Sequence, residues 1–177
     1  RRDWAKRRTE LLTLFEREVY GPLAPRMDKV AATLLGQYDD YLGGRGALKL
    51  LRLTFEEIDA PAIDLMLATP KRPRAPVFLA MNFCGNHALD PDPRIPITRD
   101  WVYSSCKGCV DGKATEAGRG SQGVDWPIAR ILERGYALAS FCSSDIDADL
   151  AEKTGAVWEW VGAKRKKPVP AANRGTV

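Results

Sequence analysis

From Ala75 to His87 the chain reads Ala-Pro-Val-Phe-Leu-Ala-Met-Asn-Phe-Cys-Gly-Asn-His, a nearly unbroken apolar stretch from Val77 to Phe83 that stops at a polar, glycine-containing loop. The stretch does not alternate, which predicts a strand covered on both faces rather than one with a wet side. Strands of that kind belong to open α/β sheets, where ligands bind beyond the carboxyl ends of the strands. His87, the one histidine of the chain, therefore falls at the margin of an expected site.

The flanking segments agree with this class. Asp3 is placed to cap a helix in which Trp4, Leu11, Leu12, Phe15 and Val19 recur at helical spacing, closed by Gly21-Pro22. Val30 to Leu35, Leu48 to Phe55 and Ile63 to Leu67 read as strands, the latter two by alternation. After His87 come about forty residues of little periodicity, a length expected of functional or disordered loops. Asp125 and Pro127 then suit a helix start, Ile128, Ile131 and Leu132 share one face, and Gly135 ends it. Tyr136 to Phe141 gives another strand. Strand, loop, helix and strand in that order imply a right-handed crossover and two parallel strands.

A chain of 177 residues with 45% apolar content is expected to form one domain with a real core. We place that domain at residues 1–161 and a basic, disordered tail at 162–177, where Lys164 to Lys167 and two prolines leave no hydrophobic face. The net charge of +4, from 27 Lys and Arg against 23 Asp and Glu, is concentrated at the two ends. A nucleic-acid binder shows instead a basic stripe with interleaved aromatics, so no nucleic-acid partner is expected. No apolar run approaches the roughly 20 residues needed to span a bilayer, and no signal peptide is visible. The first residue is not methionine, which suggests a processed or cut sequence whose parent could have carried a leader.

Several constellations invite chemistry. Cys84 and His87, with Cys106 and Cys109, give two ligand pairs of two-residue gap, a Cys3His zinc pattern; the plainer reading makes Cys84 a small apolar residue and the other two loop thiols or a disulfide. Gly118-Arg-Gly-Ser-Gln-Gly123 matches a dinucleotide fingerprint in letters, but no strand precedes it. Ser121 lacks a glycine two residues before it, and Gly-x-Ser-x-Gly occurs nowhere in the chain. Asp145, Asp147 and Asp149 follow a strand and could line a cation or substrate site, or lie in a solvated loop. The basic tract 164–167 reads as a solvated tail.

Five ordered segments carry a resemblance: Phe15-Glu-Arg-Glu-Val-Tyr-Gly21; Pro76 to His87; Arg119-Gly-Ser121 with Trp126-Pro127; Arg134-Gly-Tyr-Ala-Leu-Ala139; and Asp145-Ile-Asp147. Over roughly residues 4 to 150 the chain resembles the amino-terminal half of bacterial glucuronoyl esterases, carbohydrate esterases of the α/β-hydrolase fold. The fold class expected is thus α/β, a truncated α/β-hydrolase with an amino-terminal helix and the early strands of a mixed, mainly parallel sheet. The resemblance implies a serine hydrolase, without metal or organic cofactor, that cleaves esters of 4-O-methylglucuronic acid in xylan with lignin alcohols. Its substrate would be glucuronoxylan or a lignin–carbohydrate ester, and its location secreted or periplasmic.

The family's serine lies on the elbow after the next strand, beside an arginine that helps hold the oxyanion, and the acid and histidine come later. Those positions have no counterpart here, so no catalytic residue is assigned and His87 is not the family's catalytic histidine. By resemblance Val77 to Phe83 matches the third strand, which makes Phe83, Gly85, Asn86 and His87 candidates for the substrate or oxyanion loop. With the carboxy-terminal half of the fold missing, the third strand should present a long apolar edge, and the polypeptide alone should be marginal or insoluble. Two other readings stand beside an incomplete, inactive esterase: a non-catalytic carbohydrate-binding or interaction module, and a small Cys3His zinc domain.

Overall fold

The computed structural model describes residues 3–21, 29–55, 62–150, 156–164 and 166. Helix α1 (Trp4–Phe15) runs into a π-helical turn, Glu16–Tyr20, and Gly21 at φ 70° ends it. Asp3 precedes α1 in a helical backbone conformation and makes no side-chain cap. A cap needs extended backbone at that position, so the expected Asp3 cap does not form. None of the helix's residues is buried.

Five strands follow: β1 (Val30–Asp40), β2 (Gly46–Phe55), β3 (Ile63–Pro70), β4 (Val77–Asn82) and β5 (Ala137–Cys142). They form one mixed sheet in the order β1-β2-β3-β5-β4. The α/β class and the mixed sheet agree with expectation, while "mainly parallel" does not hold for these strands. Only β4 and β5 pair in parallel, with Val77 opposite Ala137 and Asn82 opposite Cys142; the other three pairings are antiparallel. The reason lies in the connections: a short helical turn, α2 (Tyr41–Gly44), joins β1 to β2 as a hairpin, whereas a parallel neighbour needs a long crossover.

That crossover carries helix α3 (Ile128–Glu133). Asp125 does not cap it. Asp125 and Trp126 both donate their backbone N–H to the Gln122 carbonyl in the preceding turn, which leaves Pro127, two residues beyond Asp125, at the cap position with no side-chain cap. Gly135, at φ 81°, ends it as its sequence position predicts. The apolar face of α3, Ile128 and Leu132, packs on the alternating residues Leu48 and Leu50 of β2, Met66 and Ala68 of β3, and Leu138 of β5. Tyr41, Leu89 and Ile95 complete that core. Period-two burial on neighbouring strands is what a half-covered sheet requires.

At the other edge the expectation of a fully covered strand fails. Val77 and Phe78 are each 53% exposed, Leu79 70%, Met81 41% and Phe83 50%. β4 is the last strand of the sheet among the described residues, and apolar sequence cannot bury itself without a neighbour to cover it. Helix α4 (Ala156–Lys164) buries Val157, Trp160 and Val161. It runs past the boundary expected at 161/162, and residues 167–177 lie outside the described set.

Candidate functional site

The parallel strands β4 and β5 end side by side at Asn82 and Cys142, and the turns beyond them are the site that an α/β sheet offers. Asn82 organises the first turn. Its side-chain carbonyl accepts the Gly85 N–H at 2.7 Å, and its amide donates to Asn86 Oδ1 at 2.8 Å and to Ser140 Oγ on β5 at 2.9 Å. Asn86 in turn donates to the backbone carbonyl of Asp64 on β3, 2.8 Å. A buried asparagine that meets three partners pins the carboxyl ends of both parallel strands to the loop. Gly85, at φ 90°, has room for no side chain, since a Cβ would lie 2.7 Å from Thr98 Cγ2.

The four loop residues singled out from the sequence meet different fates. Phe83 is half exposed, and its ring meets the Tyr103 ring edge-on at 6.0 Å. Tyr103 stacks edge-on with Trp101 at 4.6 Å and donates its hydroxyl to Asp149 at 3.0 Å. Gly85 and Asn86 are committed to the turn itself. His87, at 1% exposure, is sealed inside with its Nδ1 unpartnered. Burial first, and the Arg119 charge second, hold its pKa below the usual histidine value, with Glu116 opposing. A neutral, enclosed imidazole is a core residue here, not an accessible base.

Cys84 and Cys106 form a disulfide with Cα atoms 5.6 Å apart. The Cys3His zinc alternative is corrected by this bond, because zinc needs thiolates and both sulfurs are consumed. Among the described residues no group of three or more His, Cys, Asp or Glu is placed to hold a metal ion. Cys109 is a free, half-buried thiol that donates to the Val102 carbonyl, and Cys142 is a free, buried one whose pKa burial raises.

The Gly118–Gly123 segment is not a phosphate cradle. A 3-10 turn, Glu116–Gly118, precedes it instead of a strand. Its N–H groups are already used: Gly120 donates to the His87 carbonyl and Gln122 to the Ala88 carbonyl. Arg119 reaches back to the carbonyls of Asp92 and Ile95, at 3.0 and 2.7 Å, while pairing with Glu116. The long aperiodic stretch is thus ordered by polar contacts.

The three aspartates after β5 part company, with Asp147 half-buried and its backbone N–H on the Ser143 carbonyl at 3.0 Å. Asp149 is exposed and bonded to Tyr103. Asp145 is buried, accepts the Asp64 N–H at 3.0 Å, and has a pKa pushed up to about 7, by burial first and by the nearby charges of Asp100 and Asp64. Asp64 takes a bidentate pair from Arg52, its cross-strand partner, at 2.7 and 2.8 Å. A cavity of about 110 Å³ opens between these groups and Ile95–Arg99, with Asn86 and Cys142 on its wall. Sequence reasoning missed Asn82, Arg119 and this polar wall. Asn82 left one readable sign, a polar side chain three residues before a glycine at the end of an apolar strand.

No family model matches the chain. Carbohydrate esterase MZ0003, from an unknown prokaryotic organism, is 36% identical over 148 residues, which are 81% of this chain and 34% of that protein. A promiscuous CE15 esterase from a marine bacterial metagenome superposes with a TM-score of 0.77 at 32% identity, over 96% of this chain and 43% of its own. A glucuronoyl esterase from Solibacter usitatus gives 0.74 at 30% identity, over 96% and 42%. The chain spans about a third of the curated relative and less than half of either solved structure.

Proposed function

We propose, from a chain similar in sequence and sheet to part of carbohydrate esterases of the CE15 glucuronoyl-esterase type, that it forms the amino-terminal scaffold of such an enzyme. The family reaction is hydrolysis of 4-O-methylglucuronate esters that join xylan to lignin, on a substrate met outside the cell. In this reading the Phe83–His87 turn, set by Asn82, is the wall against which the reacting centre assembles. His87 supports the wall and moves no proton. The observation that carries the reading is continuous: similarity extends over 96% of the chain, and β4 ends in this turn beside β5.

No group in these residues can perform the acyl transfer. The nucleophile elbow is absent from the sequence, and the lone histidine is enclosed. Turnover of benzyl glucuronate by a full-length relative, and none above buffer by this chain, is the expected result. Turnover by this chain overturns the assignment of its inactivity; none by the relative overturns the ester.

A second reading rests on the half-exposed Phe83 and its contact with Tyr103 and Trp101. Aromatic side chains at a site rim suit a module that holds carbohydrate without cleaving it. Binding of glucuronoxylan by this chain with no ester turnover supports it.

A further inference from the structure

We propose that Cys84, Cys106 and Cys109 form a thiol–disulfide exchange site in which the Cys109 thiol displaces Cys84 from Cys106. Three features of the structure bear on it. The bond present joins Cys84 to Cys106, and Cys109 is free and half-buried against the same small cluster as Cys84, Ala88, Val102 and Cys106. Cys106 and Cys109 are the ends of one tight turn, closed by the Cys109 N–H on the Cys106 carbonyl at 3.1 Å, with Gly108 at φ 73° permitting it. The ends of such a turn lie within about 7 Å, the reach of a disulfide. Lastly, the Gln122 side-chain amide donates to Cys84 Sγ at 3.5 Å, so the sulfur that must leave has a donor ready for its negative charge.

The exchange is neutral in electrons and needs no added oxidant. Cys109 loses its proton, and its thiolate attacks Cys106 Sγ in line with the Cys84–Cys106 bond. A Cys106–Cys109 bond forms as the Cys84–Cys106 bond breaks. Cys84 departs with the electron pair, receives the Gln122 hydrogen bond and takes up a proton from water. The link moves from a sequence separation of 22 to a short turn. The Phe83–His87 turn then loses its covalent tie to the 101–113 segment and keeps its hydrogen bonds to Asn82. Cys142, buried at the end of β5, takes no part and serves as an internal reference.

The sequence makes the two linkages easy to read. Arg74, Arg94, Arg99, Lys107 and Lys113 put Cys84, Cys106 and Cys109 on three different tryptic peptides. The native chain is equilibrated between about pH 7 and 9, where free thiols ionise, capped with N-ethylmaleimide, digested without reductant and weighed. The expected result is a peptide pair joining Cys106 to Cys109 together with capped Cys84, reached sooner at higher pH. Cys109→Ser, and independently Cys109→Ala, should lower Cys84 capping at least roughly tenfold, to the level of Cys142. Cys84 left uncapped at every pH while Cys109 is fully capped overturns the proposal. So does a Cys106–Cys109 bond that appears only after denaturant, which Cys142 capping would report. The readout is a mass and does not depend on the ester reading.

Discussion

The flank of the sheet around β2, β3 and β5 and the flank formed by β4 are made of the same residue types, and they end in opposite states. Leu48, Met66 and Leu138 lie against α3 and the 88–97 loop, and each is at most 2% exposed. Leu79 and Val77 are as apolar and as regularly placed, yet more than half exposed. Helix α1 and the π-helical turn after it repeat the pattern, with Trp4, Leu12 and Val19 facing out. The lesson is that apolar periodicity states what an element can bury. Which elements are at hand to cover it decides what it does bury.

Four substitutions or titrations can break or sharpen this contrast. The largest effect belongs to the sealed flank: Met66→Ala should cost about 2–5 kcal/mol, because its cavity is walled by strands that cannot close, and urea unfolding reads it. A cost as small as that of a surface change would mean the two flanks do not differ. Next comes pH. Burial raises the folded pKa of Asp145 to about 7 from 3.8, so between those values the unfolded chain has released a proton that the folded chain retains. Stability should therefore fall as pH rises from about 4 to 7, on the order of 2–4 kcal/mol. Asp145→Asn keeps an acceptor for the Asp64 N–H and should flatten that slope; a slope unchanged by the substitution removes Asp145 as its cause.

Arg119→Ala should cost about 1–3 kcal/mol, since two loop carbonyls lose a charged donor. Accelerated proteolysis between residues 90 and 100 should accompany it. Smallest is Leu79→Lys on the open flank, expected to stay within about 0.5 kcal/mol of the parent. Its visible effect should be on solubility, because a charge on an exposed strand edge opposes edge-to-edge pairing. Light scattering that shows no decrease in self-association would remove β4 as the sticky edge.

Much of this was legible beforehand, for reasons that can be named. The β4-to-loop transition, the glycine stop at Gly135 and the parallel pairing across a helical crossover follow from local chemistry and chain connectivity. The long segment after His87 shows no pattern in sequence because its order comes from Asn82, Arg119 and backbone donors, which have no period. The cysteine spacing raised the pairs but left the bonding open. The Cys84–Cys106 bond instead joins residues 22 apart, and its choice depends on how the 101–113 segment folds back. Exposure of β4 is the expectation that the resemblance to glucuronoyl esterases carries. The strand's own residues indicate the reverse.

Asn82 has one more consequence, visible in the exchange of amide hydrogens with solvent. The Gly85 amide is held by a buried side chain that is also anchored to Ser140 on the neighbouring strand. It should exchange slowly, in step with opening of β5, whereas β4 amides on the side away from β5, unpaired in the sheet among the described residues, should exchange faster. The turn beyond β4 thus keeps time with the interior of the sheet rather than with the edge strand from which it springs.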